Sequence, residues 1–110
     1  MATLSQQAQQ IAKSYVKKVR SHIVVSQALL FGSAARETMH QDSDIDLIVL
    51  SDDFKYMDLA DRLMMLSRLR GREFISWPMD ILGYTPEEFE KLISVSSMFA
   101  EAKKQGIIIT

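Results

Sequence analysis

The sequence predicts an α/β protein in which a small mixed sheet is flanked by helices. Segments with apolar residues at helical spacing alternate along the chain with runs of β-branched and other apolar residues, as expected for helices and covered strands. The connections between these segments vary too much for a sheet that is parallel throughout, so we expect mixed strand directions. No repeat and no linker rich in glycine, serine or proline divides the 110 residues. Residues 1–110 are therefore predicted to form one domain.

The first half of the chain is predicted to begin with a capped helix. Apolar residues from Leu4 onwards recur at helical spacing, and Thr3 with Gln6 has the spacing of a capping box. The last strand of this half is apolar on both faces, which indicates that both of its sides are covered. The elements predicted up to residue 50 are a helix over 4–22, a strand over 23–31, a short helix over 33–38 and a strand over 44–50.

The second half is predicted to hold three helices and two extended segments. Thr85 and Glu88 have the spacing of a capping box, with Pro86 at the first helical position. Pro78 lies inside an extended segment and predicts an edge strand or a bulge, because proline cannot donate to a neighbouring strand. The predicted elements are a helix over 58–70, an extended segment over 73–84, helices over 86–94 and 97–105, and a short strand over 107–109.

The composition excludes several classes of protein. The hydrophobic content of 47% and charged content of 25% are those of an ordinary globular domain. A net charge of −1 gives no bulk electrostatic reason to expect a nucleic acid as direct substrate. There are no cysteines, hence no thiolate metal site. No apolar run approaches the ~20 residues that cross a bilayer, and no secretion signal is recognisable, so we expect a cytoplasmic protein without a membrane partner.

The charge is spread unevenly, since five basic residues precede the first acid, Glu37. Four of them, Lys13, Lys17, Lys18 and Arg20, fall in the first predicted helix. A solvated helix face is the simpler interpretation of this cluster. The alternative is that the helix faces a phosphate-bearing ligand or an acidic partner.

Gly32 and Ser33 lie directly after a predicted strand and before a possible helix. Glycine lets the backbone approach a ligand closely, free N–H groups at a helix start favour an anion such as phosphate, and the serine hydroxyl adds a donor. Most Gly-Ser pairs are plain turns. The pair alone is therefore weak evidence for a phosphate site.

Asp44 and Asp46 open the second predicted strand. Residues two apart in a strand point to the same face, so the two carboxylates project together. Like charges side by side repel each other and usually need a cation, and oxygen ligands of this kind suit Mg²⁺ with substrate phosphates. Two solvated acids at a strand end are the alternative, and they are favoured while the pair is considered alone.

The two features together favour the functional interpretation over a plain turn and two solvated acids, because they bring a phosphate turn and a cation site to one place. The motif formed by Gly32-Ser33, Ala35-Arg36 and Ser43-Asp44-Ile45-Asp46-Leu47 resembles the signature of the DNA polymerase beta-like nucleotidyltransferase superfamily. More narrowly, the chain resembles the minimal nucleotidyltransferases that are paired with HEPN proteins in toxin–antitoxin systems. The resemblance covers nearly the whole chain and implies the nucleotidyltransferase fold.

The resemblance also implies a third carboxylate on a later strand, for which Asp80 is the candidate. Asp80 is an acid within an otherwise apolar extended segment, where a charge is costly without a partner. A capping or salt-bridged acid is the alternative. One position departs from the family pattern: Glu37 follows Arg36 where glycine is common, which leaves the geometry of that connection open.

The resemblance implies in-line attack by an acceptor hydroxyl on the α-phosphorus of a nucleoside triphosphate, with two Mg²⁺ ions stabilising the attacking and leaving oxygens. Asp44 and Asp46 are assigned to both ions and Asp80 to the ion on the acceptor side. Nucleotide binding is assigned to four residues, of which Arg36 could instead brace the connection by pairing with an acid. These four are Gly32, Ser33, Arg36 and Ser43.

The chain offers no separate domain to hold an acceptor, so another protein is expected to present it or to be it. The resemblance favours a HEPN toxin modified on a tyrosine with AMP from ATP, which would make the chain an antitoxin. Two alternatives stay open. One is a non-catalytic antitoxin that occludes its partner, with Met57, Met64, Met65 and Met98 either in a pliable contact surface or in the core. The other is the catalytic subunit of an aminoglycoside-type nucleotidyltransferase.

Overall fold

A computed structural model describes residues 2–36, 38–74 and 76–109 of the chain. These residues form four strands and five α-helices, with one 3-10 helix over Asp52–Phe54. The strands are β1 (Gln27–Phe31), β2 (Ile45–Leu50), β3 (Met79–Tyr84) and β4 (Ile107–Ile109). The helices are α1 (Leu4–Arg20), α2 (Ser33–Arg36), α3 (Leu59–Arg70), α4 (Pro86–Val95) and α5 (Ser97–Gln105).

The strands form one mixed sheet in the order β3-β2-β1-β4. β1 pairs antiparallel with β2 and with β4, whereas β2 and β3 are parallel. A parallel pair needs a crossover connection, and the 3-10 helix and α3 provide it. The predicted mixed sheet flanked by helices is confirmed, and so is the edge position of the strand that follows Pro78.

Two apolar clusters cover the two faces of the sheet. One lies under α1 and α3 and contains Tyr15, Leu47 and Leu66, and the other lies under α4 and α5 and contains Ile48, Phe89 and Phe99. β2 contributes to both because its side chains alternate between the faces. This explains why the β2 sequence is apolar at nearly every position.

The local signals at helix ends predict the structure well. Thr3 with Gln6 and Thr85 with Glu88 both form reciprocal capping boxes. The helix predicted over 97–105 has those bounds in the structure, and the tail after Gly106 forms β4 as predicted. Such caps depend on neighbours in the sequence, which is why the sequence alone locates them.

Two predicted extended segments were too long. Residues 23–26 are not strand: the N–H of Ile23 donates to the carbonyl of Val19 at 3.0 Å, and the N–H of Val24 donates to the Asp53 carboxylate at 2.9 Å. The described residues between Gly71 and Pro78 form turns rather than strand. In that segment the N–H of Trp77 donates to the carbonyl of Phe74 at 3.3 Å, which bends the chain back on itself.

Helix α3 exposes part of its apolar surface. Leu66 is buried, but Leu59 and Leu63 are about half exposed, as is Met64. Met57 and Met65 pack against the core, while Met98 is exposed. Within the described ranges, no helix combines the length and the apolar character needed to span a membrane.

Candidate active site

The three predicted acids lie at one end of β2 and β3. Asp46 is the register partner of Asp80 across the parallel pair, and neighbouring strands are about 4.8 Å apart. Asp44 immediately precedes β2. Asp46 lies on the sheet face of Ile48, which is the face covered further along by α4 and α5. The strand register therefore places Asp46 beside Asp80, and Asp44 lies two residues before Asp46 in the chain.

Asp46 is the acid most affected by this arrangement. Burial raises the pKa of its carboxyl, the negative charges of Asp80 and Asp44 raise it further, and the positive charge of Arg36 lowers it. Asp44 and Asp80 themselves are exposed. A bound cation stabilises the charged form of a half-buried carboxylate that has two acidic neighbours.

Gly32 forms a tight turn against Asp46. Its φ angle is +69°, which L-residues with a side chain rarely adopt, and a Cβ atom at this position would overlap Oδ2 of Asp46. Ser33 begins α2, and the N–H of Arg36 donates to the Gly32 carbonyl at 3.2 Å. The turn predicted to hold phosphate thus touches the central acid directly.

Ser43 has a structural place in the loop before β2. Its hydroxyl accepts a hydrogen bond from the backbone N–H of His40 at 3.0 Å. Its carbonyl accepts one from the indole N–H of Trp77 at 3.3 Å. Ser43 therefore holds the connection that delivers Asp44, and its assignment to nucleotide binding stays a prediction.

Trp77 and Arg70 support the loop before Asp44, and sequence reasoning did not find this role. The Arg70 guanidinium donates to the carbonyl of Trp77 at 2.8 Å, and the N–H of Ile45 donates to the carbonyl of Pro78 at 2.9 Å. Because the Trp77 indole also donates to the Ser43 carbonyl, Trp77 links Arg70 at the end of α3 to the residue before Asp44. The only sequence signal was a tryptophan beside Pro78, and its contact with Ser43 spans 34 residues.

Comparison with known proteins now identifies the fold and the reaction class. A family model for the nucleotidyltransferase domain matches residues 10–105. The chain belongs to this nucleotidyltransferase family. The match includes the turn at Gly32 and all three acids, and the resemblance inferred from the motif is confirmed at this level.

Two solved structures share the fold of this nucleotidyltransferase domain. One is a putative nucleotidyltransferase from Sulfolobus solfataricus, with a TM-score of 0.67 and 24% identity over 98% of this chain and 87% of that one. The other is a toxin–antitoxin with AMP-PNP, with a TM-score of 0.55 and 22% identity over 89% of this chain and 70% of that one. No curated protein matches the chain. At these identities the two structures establish the fold alone.

The acids of the nucleotidyltransferase domain meet some of the requirements of a binding site for a divalent cation. Among the described residues, no three side chains of His, Cys, Asp or Glu are arranged so that they could hold one metal ion. The donor chemistry nevertheless suits Mg²⁺, which binds through one or two carboxylates and takes its other ligands from phosphates and water. Asp46 with one neighbouring acid meets that requirement, and the third acid need not ligate the same ion.

A cleft of about 190 Å³ opens beside the Gly32 turn. α2 and the end of β1 form one wall, with Phe31, Gly32 and Arg36, and α5 forms the other, with Glu101 and Gln105. Phe31 is the register partner of Asp46, so the cleft and the acids share one sheet face. Sequence reasoning missed this cleft because Glu101 and Gln105 have the pattern of ordinary exposed helix residues. Glu37, which stands where glycine is common in the resembled family, lies outside the described residues.

Proposed function

We propose that this domain transfers a nucleoside monophosphate from a Mg²⁺-bound nucleoside triphosphate to an acceptor hydroxyl. The donor is ATP and the transferred group is AMP. The observation that carries the proposal is the contact between the Gly32 turn and Asp46, whose strand neighbour is Asp80. A turn suited to phosphate oxygens and acids suited to cations are thereby in contact. Bringing these two elements together is what phosphoryl-type transfer requires.

Each residue of the site has its own role in this transfer. Gly32 and Ser33 hold the β- and γ-phosphates, and Arg36 offsets their charge. Asp44 and Asp46 would hold two Mg²⁺ ions, which would supply charge neutralisation at the attacking and leaving oxygens. The acceptor oxygen forms a bond to the α-phosphorus while the bond from that phosphorus to the bridging oxygen breaks. Pyrophosphate leaves with the bond electrons, and Asp80 takes the hydroxyl proton.

The experiment is transfer of label from an α-labelled nucleoside triphosphate. Asp44→Asn and Asp46→Asn are expected to reduce transfer by at least about a hundredfold, since each removes a cation ligand. Asp42→Asn is the matched control, because Asp42 is an exposed acid in the preceding loop. Full transfer by Asp46→Asn, or an equal loss in Asp42→Asn, would exclude the assignment of the acids.

The acceptor we propose is a tyrosine of a HEPN-type toxin, with this chain acting as its antitoxin in the cytoplasm. Support comes from the toxin–antitoxin with AMP-PNP, whose fold this chain shares over 89% of its length. Incubating the chain with the candidate partner, ATP and Mg²⁺ is expected to raise the partner's intact mass by one adenylyl group. A partner that stays bound but keeps its mass would refute this acceptor.

A non-catalytic antitoxin is the second candidate, and one observation favours it. Leu59, Leu63 and Met64 expose apolar surface on α3, and such surface is used in protein contacts. The catalytic model and the binding model differ for Asp44→Asn. A pure binder carrying this substitution would still neutralise its partner in a growth assay, whereas an enzyme carrying it would not.

A further inference from the structure

The cleft between α2 and α5 lies on the same sheet face as the acids, and its α5 wall has no part in the proposed chemistry. We propose that it binds the base of the donor nucleotide, and that Glu101 accepts a hydrogen bond from an exocyclic amino group of that base. The inference rests on the proposed function, because it assumes that a nucleoside triphosphate occupies the Gly32 turn. It adds a base-recognising residue on α5.

The position of the cleft supports a donor-side ligand. Gly32 and Arg36 belong both to the predicted phosphate turn and to the cleft wall. A nucleotide whose phosphates lie on that turn therefore has the cleft within reach. The volume of about 190 Å³ is below the ~300 Å³ of pockets that enclose drug-sized ligands, so the cleft suits a single ring system rather than a whole nucleotide.

The α5 wall presents one helix face to this space. Met98, Glu101 and Gln105 follow each other at spacings of three and four residues, and all three line the cleft. The buried Ala102 lies between them, and its small side chain leaves room for a planar group. The three longer side chains therefore surround an opening rather than fill it.

The charges across the cleft set the orientation of the ligand. Arg36 is on the phosphate side and Glu101 on the α5 side. A carboxylate repels phosphate, so the α5 end disfavours the triphosphate and favours a hydrogen-bond donor. A carboxylate accepts hydrogen bonds from an amino group, and the amide of Gln105 can both donate and accept along a base edge. A base with an exocyclic amino group, such as adenine, can form hydrogen bonds with both the Glu101 carboxylate and the Gln105 amide.

The test is calorimetric titration of the chain, without acceptor, with three Mg²⁺-containing probes: ATP, inosine triphosphate and inorganic tripolyphosphate. Inosine carries a carbonyl where adenosine carries its amino group, and tripolyphosphate reports on the phosphate turn alone. Wild type is expected to bind ATP about tenfold more tightly than inosine triphosphate, the worth of one hydrogen bond to a charged acceptor. Glu101→Ala should lower the ATP affinity about tenfold and remove that preference, with tripolyphosphate binding unchanged or tighter.

Glu87→Ala is the matched control, because Glu87 is an exposed acid on α4 that does not line the cleft and pairs with Lys91 on its own helix. It is expected to keep the wild-type preference for ATP. Equal ATP affinity in wild type and Glu101→Ala would overturn the inference and leave the proposed function standing, as would a loss of affinity for all three probes in Glu101→Ala. Failure of wild type to bind either ATP or tripolyphosphate would instead overturn the proposed function.

Discussion

Gly32 lies so close to Asp46 that a Cβ atom on residue 32 would overlap the Oδ2 atom of that carboxylate. The two residues are far apart in sequence, yet their contact joins the phosphate turn to the central acid. Glycine is required here for two separate reasons. The backbone has a φ angle of +69°, and no space exists for a side chain.

Gly32→Ala is therefore predicted to damage the site more than the fold. The left-handed backbone costs an alanine about 1–2 kcal/mol, and the methyl group must displace the Asp46 carboxylate. We expect transfer of α-labelled nucleotide to fall by at least about a hundredfold, because misplacement near 1 Å costs about that much. Thermal unfolding together with the transfer assay separates the two effects.

Gly71→Ala is the matched control for this experiment. Gly71 also has a positive φ, +54°, but the nearest atom to a Cβ there is Nζ of Lys18 at 3.4 Å, the end of a flexible side chain. This variant is expected to lose stability and keep transfer. If both alanine variants lose transfer equally, the contact with Asp46 has no special role.

Asp46→Asn is predicted to stabilise the metal-free protein at neutral pH. Burial and the charges of Asp80 and Asp44 raise the pKa of Asp46 in the folded state. Folding stability therefore falls as the pH rises from the ordinary pKa of an aspartate through this raised value. Asparagine removes that loss, so Asp46→Asn should have the higher Tm at pH 7 and a similar Tm at pH 3.

Mg²⁺ is expected to act in the opposite direction. It should raise the Tm of wild type, because a ligand that binds only the folded state stabilises it, and should leave the Tm of Asp46→Asn nearly unchanged. Asp42→Asn, which alters an exposed acid outside the site, should follow wild type in both measurements. A Tm of Asp46→Asn below that of wild type at pH 7 would contradict the prediction.

Trp77→Phe is predicted to weaken the site through the loop before Asp44. Phenylalanine keeps an apolar ring but loses the indole N–H that donates to the Ser43 carbonyl at 3.3 Å. Outer hydrogen bonds around metal ligands are worth about 10–100-fold in affinity or activity. We expect at least about a tenfold rise in the Mg²⁺ concentration for half-maximal transfer, with a Tm within a few degrees of wild type.

The Arg70–Trp77 hydrogen bond provides a second arm of this test. Arg70→Lys can still donate to the Trp77 carbonyl, whereas Arg70→Met cannot. The lysine variant should retain more of the wild-type Mg²⁺ response than the methionine variant. A Mg²⁺ response that is normal in Trp77→Phe would show that the link to Ser43 is only structural.

The sequence predicted those features that depend on neighbours within a few residues. The capping pairs Thr3–Gln6 and Thr85–Glu88 are local, and the strand predicted over 44–50 from its apolar run corresponds to β2 (Ile45–Leu50). The extended run after residue 22 was overestimated, because the N–H groups of Ile23 and Val24 donate to Val19 and to the distant Asp53, and only Ser26, next to β1, donates to β2. Propensity cannot foresee such tertiary partners.

The parts of the site that sequence reasoning missed are long-range in the same sense. Trp77 reaches Ser43 across 34 residues, and Glu101 faces the Gly32 turn only because α5 packs beside β1. Neither side chain belongs to the local motif. The motif locates the phosphate and cation elements, and the packing of α5 creates the space next to them.

Arg62 is predicted to be the charged residue on which the fold depends most. It is buried, it donates to both oxygens of Glu88 at 2.7 and 3.1 Å, and it donates to three backbone carbonyls. These carbonyls belong to Phe54, Met57 and Gly83. Arg62→Met would leave buried acceptors without donors, at about 1–3 kcal/mol each, so we expect a loss of at least about 3 kcal/mol in urea unfolding.

Glu88→Gln isolates the charge of this ion pair. Glutamine can keep the capping contacts with Thr85, but it loses the negative charge that faces Arg62. Hydrogen bonding to Arg62 lowers the pKa of Glu88 in the folded protein. The stabilisation from the charge is therefore present above the ordinary glutamate pKa and is lost as the pH falls through the lowered value. Because the Glu88 side chain is 41% exposed, we expect a wild-type advantage of about 1 kcal/mol at pH 7. That advantage should disappear under strongly acidic conditions, and an equal gap in urea unfolding at both pH values would mean that the charge is not its source.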